Sequence, residues 1–194
     1  MQKQIFGDPI VILDTETDGL YNDSQILELA AVCLDEWGRV RSRFSSLVRP
    51  KKPVHPSCKA LTVNNISLSD LAEAPDWETV QLYFDSWLRS IPCRNGEVIS
   101  TAFNNTFDKR MLENHGFSLQ WGMCIRSMTN KCMKAQNKQP KNAKGNNKAP
   151  SLEEACNYFQ IPYPHNAHRA LVDAEVTAKV AISAFQKIQE LGLL

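Results

Sequence analysis

Residues 10–20 read Ile-Val-Ile-Leu-Asp-Thr-Glu-Thr-Asp-Gly-Leu, four aliphatic residues running straight into two carboxylates and a glycine turn. A short, β-branched apolar run bounded by Pro9 and Gly19 is the pattern of a buried strand. Side chains alternate along a strand, so Asp14 and Glu16 leave it on the same face. Two carboxylates side by side at a strand end repel each other unless a proton or a cation lies between them. Hard divalent cations with oxygen ligands meet that need. An isolated Asp-x-Glu is ordinarily a solvated charged turn, so the decision rests on whether the rest of the chain supplies further ligands.

The chain has 194 residues, a length that suits one domain spanning residues 1–194 and a core that needs no staples. Hydrophobic residues make up 43% and charged residues 22%, an ordinary globular balance. Cys33, Cys58, Cys93, Cys124, Cys132 and Cys156 form no Cys-x-x-Cys pair, which argues against a zinc or thioredoxin-like site. Free thiols in a reducing compartment are expected instead. No apolar stretch approaches a membrane span. The expectation is a soluble, cytoplasmic protein with no membrane partner.

A second strand is expected over 26–34, a hairpin tip at Trp37-Gly38 and a third strand over 40–48, together a three-strand antiparallel meander. Residues 51–76 carry Pro53, Pro56 and Pro75 and read as an irregular crossover with short helical fragments. Apolar spacing predicts an amphipathic helix over 77–88, ended by Pro92. An Asn95-Gly96 turn, a strand over 98–103, a short helix over 106–114 and a fifth strand over 123–125 follow. Ser151 with Glu154 forms a capping box for the next helix. The last helix is expected over 170–191, with Ala170, Ala174, Ala178, Ala181, Phe185 and Ile188 in one narrow stripe that permits close packing. These elements predict an α/β fold with a mixed sheet flanked by helices.

Residues 131–150 hold six lysines and no acid, so a +6 loop or insertion sits on a body of −5. One reading is a solvated, disordered insertion. The other is an arm that grips a polyanion with salt-sensitive affinity, through Lys134, Lys138, Lys141 and Lys144.

In the predicted arrangement the end of the first strand meets residues from later helices. Asp108, in Asn105-Thr106-Phe107-Asp108, falls near a helix start, where an acid commonly faces the helix dipole. His168 and Asp173 fall at the start of the last helix. Each is weak alone, but their order and placement form a pattern. His55, His115 and His165 are read as structural or solvated.

These three segments resemble the motifs of the DEDDh (DnaQ-like) 3′–5′ exonucleases of the ribonuclease H-like fold. Residues 14–20 look like the first motif, 105–108 like the second, and 168–178 like the third almost position for position. The resemblance covers about residues 8–190. Asn104 departs from it, since a His often precedes the second motif's Asn. The resemblance implies a ribonuclease H-like five-stranded sheet, with the antiparallel meander joined by parallel strands. It implies two Mg²⁺ or Mn²⁺ ions held by Asp14, Glu16, Asp108 and Asp173, with Asp14 bridging both. It implies His168 as general base, a role that suits an imidazole's ordinary pKa of about 6.5. Two-metal phosphodiester hydrolysis at a 3′ end, releasing nucleoside 5′-monophosphates, is the implied reaction. Thr15, Thr17, Gly19, Leu20 and Asn105 are the implied substrate contacts, Leu20 as an apolar wedge against a base. Phe103, Phe107, Trp121 and Tyr163 are candidates for stacking.

The expected partner is nucleic acid with a single-stranded 3′ end, DNA before RNA, in proofreading or repair. The alternatives are an RNA-trimming exoribonuclease, a non-catalytic nucleic-acid-binding module, and a subunit docked to a polymerase or another protein.

Overall fold

The computed structural model describes residues 4–94 and 98–193; the expected Asn95-Gly96 turn lies outside them. The meander is present. β1 (Ile10–Thr17) pairs antiparallel with β2 (Ile26–Leu34), and β2 pairs antiparallel with β3 (Val40–Leu47). β4 (Ile99–Thr101) joins β1 in parallel, and β5 (Gln120–Trp121) joins β4 in parallel. The order is β3-β2-β1-β4-β5, which puts the Asp14–Glu16 strand at the centre.

Strand alternation divides the core into two. Ile10 and Ile12 of β1, with Val32 and Leu34 of β2, face one layer of helices. That layer is α5 (Ile125–Ala135), α6 (Leu152–Phe159) and α7 (Ala170–Glu190). Val11 and Leu13, with Leu29, Ala31 and Cys33, face the other layer. There they meet α3 (Trp77–Arg89) and α4 (Asn105–Asn114), through Val80, Phe84, Met111 and Leu112. All nine positions of β2 are buried because both faces are covered. The crossover expected over 51–76 carries α1 (Lys59–Asn64) and α2 (Leu68–Glu73).

α7 lies on β1 and β2. Ala170, Ala174, Ala178 and Ala181 are buried, and Ala184 extends the stripe. Side chains of one carbon let the helix backbone approach the sheet, which carries Asp173 in the first turn toward the end of β1. The capping box of α6 is formed: Ser151 Oγ accepts from the Glu154 N–H, and Glu154 accepts from the Ser151 N–H. All six cysteines are free thiols. Among the described residues no helix is long and apolar enough to cross a membrane.

Two expectations are corrected. The fifth strand is Gln120–Trp121, not 123–125, and Ile125 instead opens α5. Ile125, Met128, Thr129, Cys132 and Met133 are the buried face of that helix, spaced as an amphipathic helix requires. The lysine-rich stretch is therefore not all loop. Lys131 and Lys134 stand on the exposed face of α5, and Lys134 in its last turn complements the helix dipole. Beyond α5 the chain folds back in a turn closed by an antiparallel bridge between Lys141 and Asn147. Asn142 Oδ1 accepts from the N–H groups of Lys144 and Asn146 inside that turn.

Close packing of α7 makes a stability prediction. Ala181→Leu inserts three carbons where no space is exposed, and should lower unfolding stability by about 1–3 kcal/mol. Equilibrium urea denaturation measures it; an unchanged midpoint would show that the interface is looser than described.

Candidate metal centre

Parity along β1 sets the site. Asp14 and Glu16 continue the face of Ile10 and Ile12, toward α7, while Thr15 continues the face of Val11 and Leu13, toward α4. Ligand oxygens of Asp14, Glu16 and Asp173 all lie within 4.8 Å of one another. Asp108 comes from the opposite layer, in the first turn of α4. Its Oδ1 accepts from the Thr15 N–H at 3.1 Å and from Thr15 Oγ1 at 2.9 Å. Thr15 thus ties the second-motif acid to the strand that carries the first two.

The electrostatics follow from crowding four acids, Asp108 and Asp173 buried and Asp14 and Glu16 half-buried. Burial pushes the Asp14 carboxyl well above the carboxylate range, and Asp108, Glu16 and Asp173 push it further. Burial and then Asp173 raise Glu16 to about 8. Burial raises Asp108 to about 7 against the opposing pull of its two Thr15 bonds. Asp173 is raised by burial. Its Oδ2 accepts from the His168 N–H at 3.3 Å, but its buried Oδ1 has no hydrogen-bond partner among the described residues. Clustered carboxylates and an unpartnered buried oxygen fit a hard divalent cation, which would supply the missing partner and offset the repulsion.

His168 is exposed and has φ of +70°, a left-handed conformation uncommon for a residue with a side chain. It lines a cavity of about 450 Å³ that also takes in Glu16, Thr17, Gly19, Leu20 and Phe107. Leu20 is 74% exposed at its rim and Val63 of α1 is 52% exposed. The turn between β1 and β2 is held from several sides. Asp18 accepts from the backbone and side-chain amides of Gln25, and Arg110 Nη2 donates to the Leu20 carbonyl at 3.0 Å. A Cβ at Gly19 would come within 2.9 Å of Ser24 Oγ, so glycine lets the turn close on Ser24.

The other expected substrate contacts are placed as follows. The Thr17 hydroxyl donates to the Gly19 carbonyl. Asn105 Oδ1 accepts from Thr101 Oγ1 and the Ala102 N–H, and its Nδ2 donates to the Gly122 carbonyl. Its amide therefore knits the end of β4 to the start of α4, which carries Asp108. Lys138 stands 6.0 Å over the Tyr158 ring, in a hollow shared with Ser183 and Lys187. Ser183 is ten residues beyond Asp173 on α7, about 15 Å along the axis. The structure thus does not bring Lys138 to the carboxylates; Lys134, Lys141 and Lys144 are exposed. His115 packs edge-on against Trp77 and binds the Met111 carbonyl, a structural role.

One residue escaped the sequence reading. Glu28 lies directly opposite Glu16 in the β1–β2 register and is 2% exposed. Its signal was a single acid inside the otherwise apolar run 26–34.

A five-stranded mixed sheet with four acids gathered at the end of its central strand defines a ribonuclease H-like exonuclease scaffold. A family model described as Exonuclease (RNase_T) matches residues 11–181, and the chain belongs to that family, in its DnaQ-like group. The fold resembles that of cell-death related nuclease 4 (CRN-4), with a TM-score of 0.75 and 18% identity over 98% of this chain and 67% of that one. It resembles E. coli Exonuclease I in complex with a dT13 oligonucleotide, with a TM-score of 0.76 and 17% identity over 95% of this chain and 42% of that one. Exonuclease X in complex with 5′ overhanging duplex DNA matches with a TM-score of 0.66 and 23% identity over 94% of this chain and 93% of that one. In sequence the chain is 26% identical over 187 residues to DNA polymerase III PolC-type of Staphylococcus aureus, covering 95% of the chain and 12% of the polymerase. The chain thus spans about an eighth of the length of the curated relatives it matches.

Raised carboxyl pKa values carry a stability consequence. In the fold Glu16 keeps its proton to about 8 and Asp108 to about 7, against about 4 in the unfolded chain. Between those limits the folded state binds more protons than the unfolded one, so stability falls as pH rises. In EDTA the Tm should therefore fall from about pH 5 to about pH 8, and Mg²⁺ or Mn²⁺ should restore it. Asp14→Asn should raise the metal-free Tm at about pH 8, by at least about 2–4 °C, the shift about 1 kcal/mol gives in a chain of this size. It should also abolish the response to cation. A variant Tm below the parent's would contradict the repulsion.

Proposed function

We propose that the chain is a metal-dependent 3′–5′ exonuclease that removes nucleoside 5′-monophosphates from a single-stranded 3′ end, DNA before RNA. The observation that carries the reading is the cluster of Asp14, Glu16 and Asp173 oxygens within 4.8 Å, beside Asp108. The three motif resemblances and membership of the exonuclease family support it. The DNA complexes of the two exonucleases of similar fold support DNA as substrate.

Asp14, Glu16 and Asp173 would hold one divalent cation, and Asp14 with Asp108 a second. Bound cations supply Lewis-acid charge to the phosphate and lower the pKa of the attacking water. The residues of the chain supply the rest. Leu20, Val63 and Phe107 offer an apolar wall to the terminal base, and the bonds from Arg110 and Gln25 keep Leu20 in place. His168, at the cavity rim, takes a proton from the attacking water. The new bond forms at the phosphorus of the last nucleotide, the bond to the preceding 3′ oxygen breaks, and that oxygen acquires a proton from solvent.

A second reading, association with a polymerase, is favoured by the curated relatives, which are polymerases that this chain matches over 12% of their length. Under it the chain works beside a polymerase, and co-purification of a larger complex is the expected result. The expected location is cytoplasmic.

A 5′-labelled single-stranded DNA oligonucleotide with Mg²⁺ or Mn²⁺ should give a descending ladder, faster than duplex DNA or RNA. No ladder on any of the three with either metal would sink the reading. His168→Ala should lower kcat by about 10²–10⁴ while the cation still raises the Tm. Parent-like cleavage by that variant would remove His168 from the role of base.

A further inference from the structure

α7 begins without a cap of its own. Its N-cap residue is Arg169, whose side chain has no acceptor to offer the first-turn N–H groups. The acceptor comes from β2. Glu28 Oε2 accepts from the Ala170 N–H at 3.0 Å, across 142 residues of sequence. The same carboxylate takes Arg169 in two parallel bonds, Nε to Oε2 at 3.0 Å and Nη2 to Oε1 at 2.9 Å. A bidentate guanidinium–carboxylate pair fixes orientation as well as distance. The Glu28 side chain is 3% exposed and that of Arg169 38%, so the acid is the buried anchor and the arginine the closing arm.

What this pair holds matters for the carboxylates. His168, Arg169 and Ala170 are consecutive. Glu28 grips the last two, and His168 before them takes φ of +70°. That turn aims the His168 N–H at Asp173 Oδ2, leaving the buried Oδ1 without a partner among the described residues. Glu28 also faces the same side of the sheet as Glu16, its partner in register. Both of its oxygens are taken by Arg169 and Ala170, and it is absent from the group that could share a cation. It adds no ligand.

We propose that Glu28 and Arg169 are positioning residues: they set the start of α7 and, through it, the orientation of Asp173 and His168. The proposal rests on the reading of Asp14, Glu16 and Asp173 as metal ligands. It assigns Glu28 to the alignment of a ligand and a base rather than to metal binding.

The test uses the full chain and three readouts. These are Mn²⁺ affinity by electron paramagnetic resonance, kcat and KM on a labelled single-stranded oligonucleotide, and Tm. Glu28→Gln keeps shape and an acceptor for the Ala170 N–H but loses the charge that holds Arg169. Arg169→Gln removes the arm, and Arg169→Lys restores its charge without the fork. Glu28→Gln and Arg169→Gln should weaken Mn²⁺ binding by about 10-fold or more, the usual range for a residue that orients a ligand. Their kcat should fall with KM within about twofold of the parent, and Arg169→Lys should recover part of both losses. A merely structural pair would lower the Tm and leave Mn²⁺ affinity and kcat at parent values below it; that result overturns the proposal. Should Glu28→Gln fail to fold, the two Arg169 variants carry the same expectations. The Mn²⁺ comparison decides the matter even in a parent chain that cleaves nothing, an outcome that sinks only the nuclease reading.

Discussion

Repulsion among crowded acids is the constraint around which this structure is arranged. Asp14, Glu16, Asp108 and Asp173 converge at the end of the central strand, where burial, complete for two of them and partial for Asp14 and Glu16, reduces the water that would screen them. A chain gains nothing in stability by building such a cluster. The fold spends other interactions to hold it: a tightly packed helix, a threonine that binds one acid twice, and an ion pair that binds none of the four. That expenditure is what makes a cation site a better account of the cluster than a charged turn.

The scaffold solves a placement problem with strand parity. Asp14 and Glu16 must face Asp173 in one helical layer, while Asp108 comes from the other. β1 uses its alternation for both tasks, sending the acids toward α7 and Thr15 toward α4. β2 repeats the pattern with Glu28, which reaches the N-terminus of α7. The alanine stripe of α7 then sets the distance. Each element is ordinary; the function read here depends on their sharing one strand end.

Much of this was legible in the residues because it is local or periodic. The aliphatic run into Asp14, the 26–34 strand, the capping box at Ser151 and the alanine stripe each carry their signal within a few turns or strand positions. What was missed depends on distance or on competing signals. α5 was obscured because two of its exposed positions are lysines, which merged with the lysine-rich turn that follows. β5 has two residues, too few for alternation to register. The bonds of the Asn105 amide to backbone at 102 and 122 depend on the pairing of β4 and β5, which short-range pattern does not carry. Glu28 required the β1–β2 register before its position opposite Glu16 could be seen. The turn that follows α5, with its Lys141–Asn147 bridge, has no periodic signal in the lysine-rich stretch.

Anomalous diffraction from crystals grown with Mn²⁺ tests the central claim most directly. A peak between the carboxylates of Asp14, Glu16 and Asp173, lost in Asp14→Asn crystals, is the predicted result. Crystals in which Mn²⁺ binds elsewhere, or in which those three carboxylates stay protonated and bonded to one another at saturating Mn²⁺, would contradict it.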